Sequence, residues 1–175
     1  MARRQGMQYP LPALSQGDAH TMKRELSIAF GALLLGAALH AQGKPVTVTG
    51  VRGVTFGTVV PGIPSVVLRT DPANSGQFDI KVPKSPVLLS FVLPLSMTGP
   101  GGALMPLTFG ASDGGYSMTQ SIGSQVGFDP KQPYTANVLP NGRASVFLGG
   151  TANPATNQRA GAYTATIILN VTVLP

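Results

Sequence analysis

From Gly161 to Val173 the chain alternates with period two. Tyr163, Ala165, Ile167, Leu169, Val171 and Val173 share one face, while Thr164, Thr166, Asn170 and Thr172 dominate the other, interrupted by Ile168. Successive side chains of a strand point to opposite faces, so the pattern predicts a β-strand with one side on a core and one in water. A final strand of this kind either closes its own sheet or leaves an edge for another molecule.

Shorter alternations fill the chain before it. Val46 and Val48 share a face of the run from Pro45 to Gly50, and runs at 54–60 and 66–70 follow. In 77–82, Phe78, Ile80 and Val82 point one way. Val87 to Leu93 is the most apolar segment and predicts a central strand, stopped by Pro94. Met105, Leu107 and Phe109 alternate next. Asp113-Gly-Gly115 reads as a hairpin turn leading to Tyr116, and 126–128 and 134–138 are short strand candidates. Pro140-Asn-Gly142 reads as a hairpin turn before the strand at 144–148. A loop is expected over 149–161.

The breaks carry as much information as the runs. After residue 41 there are 14 prolines and 18 glycines, mostly between β-rich runs, and no helix longer than a turn is supported. Eight to ten short strands with this punctuation predict an all-β fold, a β-sandwich or a barrel. The favoured form is an immunoglobulin-like β-sandwich with Greek-key connections, with a jelly roll as the alternative.

Residues 22–41 read as a signal peptide and its helix. Met22-Lys23-Arg24 is the basic start, and Leu26–Leu39 is an apolar run of 14 residues, shorter than the roughly 18–20 needed to span a bilayer. Cleavage is expected after Ala41. Residues 1–21 form a polar leader without period, explained most simply by a start at Met22. The domain is then 42–175, in periplasm, cell surface or medium, with no stable membrane span after cleavage. Its length suffices for one two-layer domain.

Charge and chemistry narrow the function. The 42–175 segment carries eight Lys/Arg and four Asp, a net +4 against +6 for the whole chain. The cations are scattered, without the basic stripe and interleaved aromatics that nucleic-acid binding uses. No cysteine is present, so no disulfide can staple the domain. His20 and His40 both precede the cleavage site, and residues 42–175 contain no His, Cys, Glu or Trp. Nucleophilic triads and imidazole or thiolate zinc sites are thereby excluded. Asp71, Asp113 and Asp129 sit in turn signals and Asp79 on a polar strand face, which leaves no evident carboxylate pair. Calcium held by Asp71 and Asn74, or by Asp113, is the remaining metal hypothesis, without the spacing of an EF-hand loop. The reading is a non-enzyme with no cofactor.

Two sets of residues carry a resemblance. Pro45-Val-Thr-Val-Thr49 and Val54-Thr-Phe-Gly-Thr-Val-Val-Pro-Gly62 open the domain; Gly149-Gly-Thr151 and Asn157-Gln-Arg-Ala-Gly-Ala-Tyr163, with the strand after it, close it. Together they resemble the DUF4402 family of exported bacterial domains of unknown function. More distantly, the Phe-Gly opening and Gly-x-Tyr closing resemble spore-coat-U-like subunits of archaic chaperone–usher pili. Those are immunoglobulin-like folds lacking one strand, completed by a neighbour's N-terminal extension; they usually carry cysteines that this chain lacks.

The resemblance implies a structural subunit of a fimbria-like fibre that assembles through strand contacts. Its partners would be copies of itself, other fibre subunits or a periplasmic chaperone. Val46 and Val48 are the candidate strand-exchange residues, or else residues of the domain's own first strand. A standalone exported binding or adhesion module is the alternative. An unpaired groove beside 162–173 favours assembly, whereas exposure of Tyr134 and of the 149–160 segment favours a binding face.

Overall fold

The computed structural model describes residues 46–82, 84–137 and 141–175. The leader, the signal segment, Pro45 of the opening motif and Pro140 of the expected hairpin turn lie outside them.

The described chain is all-β, with twelve strands: β1 Thr47–Arg52, β2 Ser65–Val67, β3 Gly76–Lys81, β4 Val87–Val92, β5 Ser96–Thr98, β6 Leu104–Thr108, β7 Gly114–Ser117, β8 Val126–Phe128, β9 Tyr134–Ala136, β10 Arg143–Leu148, β11 Gly150–Ala152 and β12 Ile168–Val173. Its helical turns among the described residues are two short 3₁₀ segments, Pro100–Gly102 and Ile122–Ser124. The strands form a five-stranded sheet in the order β1-β3-β10-β7-β8, a four-stranded sheet β2-β11-β6-β5 and a three-stranded sheet β12-β4-β9. Every pairing is antiparallel.

The sheets pack against each other as in a β-sandwich. Phe78, Tyr116 and Phe128 of the five-stranded sheet meet Phe91 and Tyr134 of the three-stranded one. Phe128 stacks on Tyr134 at 4.4 Å between ring centroids, and Phe78 meets Phe91 edge-on at 5.9 Å. Such aromatic pairs add about 0.5–1.5 kcal/mol beyond burial. Around them Ile80, Val87, Leu89, Ala144 and Val146 are fully buried. A second core cluster, Met97, Met105, Leu107 and Ala152, lies with the four-stranded sheet.

Several expectations hold locally. β3 buries Ile80 with Phe78 on the same face, and Val82 beyond it is buried as well. β4 is central in its sheet and ends before Pro94. Others change once strands choose partners. The Asn141-Gly142 segment turns, with Gly142 at φ 66°, but joins no hairpin: β9 pairs with β4, and β10 pairs with β3 and β7. Gly114 and Gly115 are strand residues, and the turn before them is 110–113, closed by the Asp113 N–H to the Gly110 carbonyl at 3.2 Å. Inside the expected 149–161 loop, Gly150–Ala152 forms a strand.

The most consequential difference is at 54–60, expected as a strand. It forms no ladder. Gly57 sits at φ 65°, a left-handed conformation that interrupts extended pairing and that glycine adopts without steric cost. Thr55 donates to the Asn74 carbonyl, but Gly57, Thr58 and Val59 donate to no backbone group among the described residues.

Candidate functional site: an open groove between the first and last segments

The strand expected over Gly161–Val173 forms only as β12, Ile168–Val173; before it, 161–167 makes a single bridge at Thr164, and the core-facing set is unevenly covered. Leu169 is buried, Tyr163, Ile167, Val171 and Val173 are half-buried, and Ala165 is exposed. Thr164, Thr166, Ile168, Asn170 and Thr172 on the other face are all exposed. Regular pairing accounts for the covered end: Ile168–Val173 runs antiparallel to Val87–Val92. Upstream, Thr164 alone exchanges two backbone hydrogen bonds with Thr98, at 2.8 and 3.0 Å. Ala165 and Thr166 donate to no backbone group among the described residues.

The open side of this segment faces the unladdered stretch after β1. Three clefts lie between them. The widest, about 630 Å³, has Phe56 and Gly57 on one wall, Gly161, Ala162 and Tyr163 on the other, and Met97 and Met105 between them. A second of about 170 Å³ lies among Phe56, Leu107, Phe109, Ala165 and Ile167. A third of about 350 Å³ is bounded by 50–54 and by Phe78, Ala165 and Ile167. Val54, Phe56, Met97, Tyr163, Ala165 and Ile167 each line more than one of them, so the three adjoin as an interrupted groove along the same two segments. Much of its lining is apolar. Unpaired main chain borders it on both sides, the combination that an added β-strand uses.

One end of the groove is fixed by Tyr163. Its hydroxyl donates to the Arg159 carbonyl at 2.7 Å and accepts from Gln158 Nε2 at 2.6 Å; Nε2 also donates to the Leu104 carbonyl at 3.2 Å. The ring lies flush on Gly99, where a Cβ would overlap it. Glycine is required there for close approach. At the opposite end, Arg52 ties the end of β1 to the 71–75 turn, with Nε donating to the Ser75 carbonyl at 2.6 Å and Nη2 to its hydroxyl at 3.2 Å.

Val46 and Val48 line none of the three clefts; they precede Gly50, where the lining of the third begins. β1 pairs on one side only, with β3, Val48 opposite Ile80, and the ladder slips between Gly50 and Arg52. Both valines are 39 % exposed although Val48 shares a face with Ile80, because among the described residues β1 pairs with β3 alone.

The other candidates have local partners. Asp71 Oδ1 accepts from the N–H groups of Ala73 and Asn74 at 2.8 and 3.0 Å, and Oδ2 from Asn74 Nδ2 at 2.9 Å. The Asn74 side chain and then these two N–H groups hold its carboxyl below the usual value. Both carboxylate oxygens are thus engaged in the turn. Asp113 Oδ2 accepts from Gly110 N–H at 2.6 Å and Asp129 Oδ1 from Lys131 N–H at 2.9 Å. Asp79 Oδ1 accepts from Ser145 Oγ at 2.6 Å and Gln77 Nε2 at 3.1 Å. Among the described residues no cluster of three or more His, Cys, Asp or Glu could hold a metal, and no helix is long and apolar enough to cross a membrane.

Tyr134 is half-buried in the aromatic core; of the 149–160 segment, 149–154 is mostly covered, whereas Ala155, Thr156, Asn157, Arg159 and Ala160 are exposed, as a binding face would be. Sequence reading identified Phe56-Gly57 and Gly161-x-Tyr163 as motif ends but missed that they face each other, along with the contribution of Met97 and Met105. The signal available for the methionines was their placement either side of the 99–102 turn. No protein-family model matches the chain, and no curated protein is similar to it.

Proposed function

We propose that this chain is an exported structural subunit of a fimbria-like fibre, assembling when a strand of one copy lies in the groove of the next. The groove between 50–61 and 158–167 is the observation that carries this reading. An inserted strand would supply partners to both unladdered borders and cover Ile167, Tyr163, Met97 and Phe56. Main-chain bonds would provide affinity and alternate side chains the register. The occupant is the 46–52 segment of a second copy: it alternates, holds one neighbour, and presents Val46 and Val48 partly exposed. The immunoglobulin-like form of the sandwich, the DUF4402 and spore-coat-U-like resemblance, and export through 22–41 belong to the same proposal. Support for the resemblance comes from its motif residues Phe56, Gly57, Gly161 and Tyr163, which all border the widest cleft.

A standalone binding module is the second reading. The specific observation in its favour is the volume of about 630 Å³, which falls within the range of small-ligand sites.

Deleting residues 42–50 separates the two. On the fibre reading, the shortened protein no longer self-associates in an ordered series, becomes prone to aggregation, and binds a synthetic peptide spanning 42–52. A soluble monomer of unchanged stability that ignores the peptide would count against strand exchange.

A further inference from the structure

Met97 of β5 and Met105 of β6 are register partners, directly opposite each other in the ladder. They are 9 % and 5 % exposed, yet both line the widest cleft, and Met97 also lines the second. A cleft of about 630 Å³ admits molecules far larger than a peroxide. Thioether sulfur is soft and readily oxidised, and sulfoxide formation turns an apolar side chain into a polar one.

We propose that Met97 and Met105 form a paired oxidation site reached through the open groove, with hydrogen peroxide as the class of oxidant. A sulfur lone pair attacks one peroxide oxygen and the O–O bond breaks. Sulfur loses two electrons and keeps that oxygen, and the other oxygen leaves, taking up a proton to give water. Two such events would place two S–O dipoles among Leu107, Ala152, Phe56 and Phe109, their neighbours in this cluster. An apolar strand entering there would meet acceptors that it cannot satisfy. The effect on association rests on the fibre reading; the oxidation chemistry does not. Met118 provides an internal reference, since it is 41 % exposed and lines none of the three clefts.

The exported protein is treated with graded hydrogen peroxide, folded and in urea, and each methionine is followed by peptide mass mapping. Met97 and Met105 are expected to oxidise in the folded protein within about tenfold of the rate of Met118, and to be protected in associated material. Sedimentation should show at least tenfold weaker association after oxidation. The double variant Met97→Leu/Met105→Leu is compared only with itself before and after peroxide, and its association, whatever its own strength, should be unchanged by the oxidant. Modification of the pair only after unfolding in urea overturns the site. Equal sensitivity of the double variant to peroxide overturns its role in association. If untreated protein never associates, the fibre reading and the predicted loss of association fall together, while the folded-state mapping still supports or overturns the oxidation site.

Discussion

Truncating the two isoleucine and leucine positions of the final segment in turn measures whether the groove is open. Leu169 is 8 % exposed and paired with Phe91 in the β12–β4 ladder. Leu169→Ala should therefore cost about 3 kcal/mol, within the range for large-to-small changes in a core. Ile167 points the same way but borders two of the clefts and is only half-buried. Removing three carbons at about 0.8 kcal/mol each would cost about 2.4 kcal/mol in a sealed site, and about 1.2 kcal/mol when roughly half the surface is already wet. With a urea slope of about 2 kcal/mol/M, the midpoints should fall by about 1.5 M for Leu169→Ala and about 0.6 M for Ile167→Ala, with slopes unchanged. The order should shift when association is measured. Ile167→Ala loses contact with an incoming strand, and a further 1 kcal/mol corresponds to about fivefold weaker binding. Equal midpoint losses for the two variants in the monomer would refute the reasoning, because Ile167 would then be as sealed as Leu169.

Other expectations are simpler. Tyr163→Phe removes two hydrogen bonds at the groove end and should cost about 1–2 kcal/mol by urea unfolding, leaving β12 in place. Tyr116 carries a buried hydroxyl without a partner among the described residues, and burial first, then the neighbouring Tyr134, pushes its pKa up to about 12. Tyr116→Phe should stabilise by about 1 kcal/mol at neutral pH. In the wild type, the stability linked to neutral Tyr116 is complete below the ordinary value of 10.0 and is lost as pH rises towards about 12, which alkaline unfolding of the two proteins compares. Asp71 is shifted the other way, so its contribution is present above the ordinary value of 3.8 and is lost as pH falls through the lower folded value. Asp71→Asn should flatten the acid limb of a stability profile, and an unchanged limb would assign that loss elsewhere.

The alternating segments that later pair were legible in the sequence because period two is a local property. Phe78/Ile80/Val82, the β4 run and the exposed and covered faces of 167–173 follow from it, whereas Ala165, on the expected core face, is exposed. Which strands pair is not local. Val54 to Val60 reads like Gln77 to Val82, yet one has neighbours on both sides and the other has no ladder. The Asn141-Gly142 turn was likewise legible while its partners were not, since β9 and β10 enter different sheets. The groove is formed by a pairing that does not occur between 54–60 and 165–167, and hydrophobic periodicity carries no sign of a missing neighbour.

The course of the chain through Gly149 has a further consequence. β10 lies in the middle of the five-stranded sheet, and one residue later β11 lies inside the four-stranded one. A single covalent run therefore joins these two sheets, so the loss of register in one is expected to pull on the other. Heat or denaturant should unravel them in one cooperative step, with the amide protons of residues 144–152 the last to exchange with solvent. For a domain built without a disulfide, that join is what makes loosening of one face felt on the other.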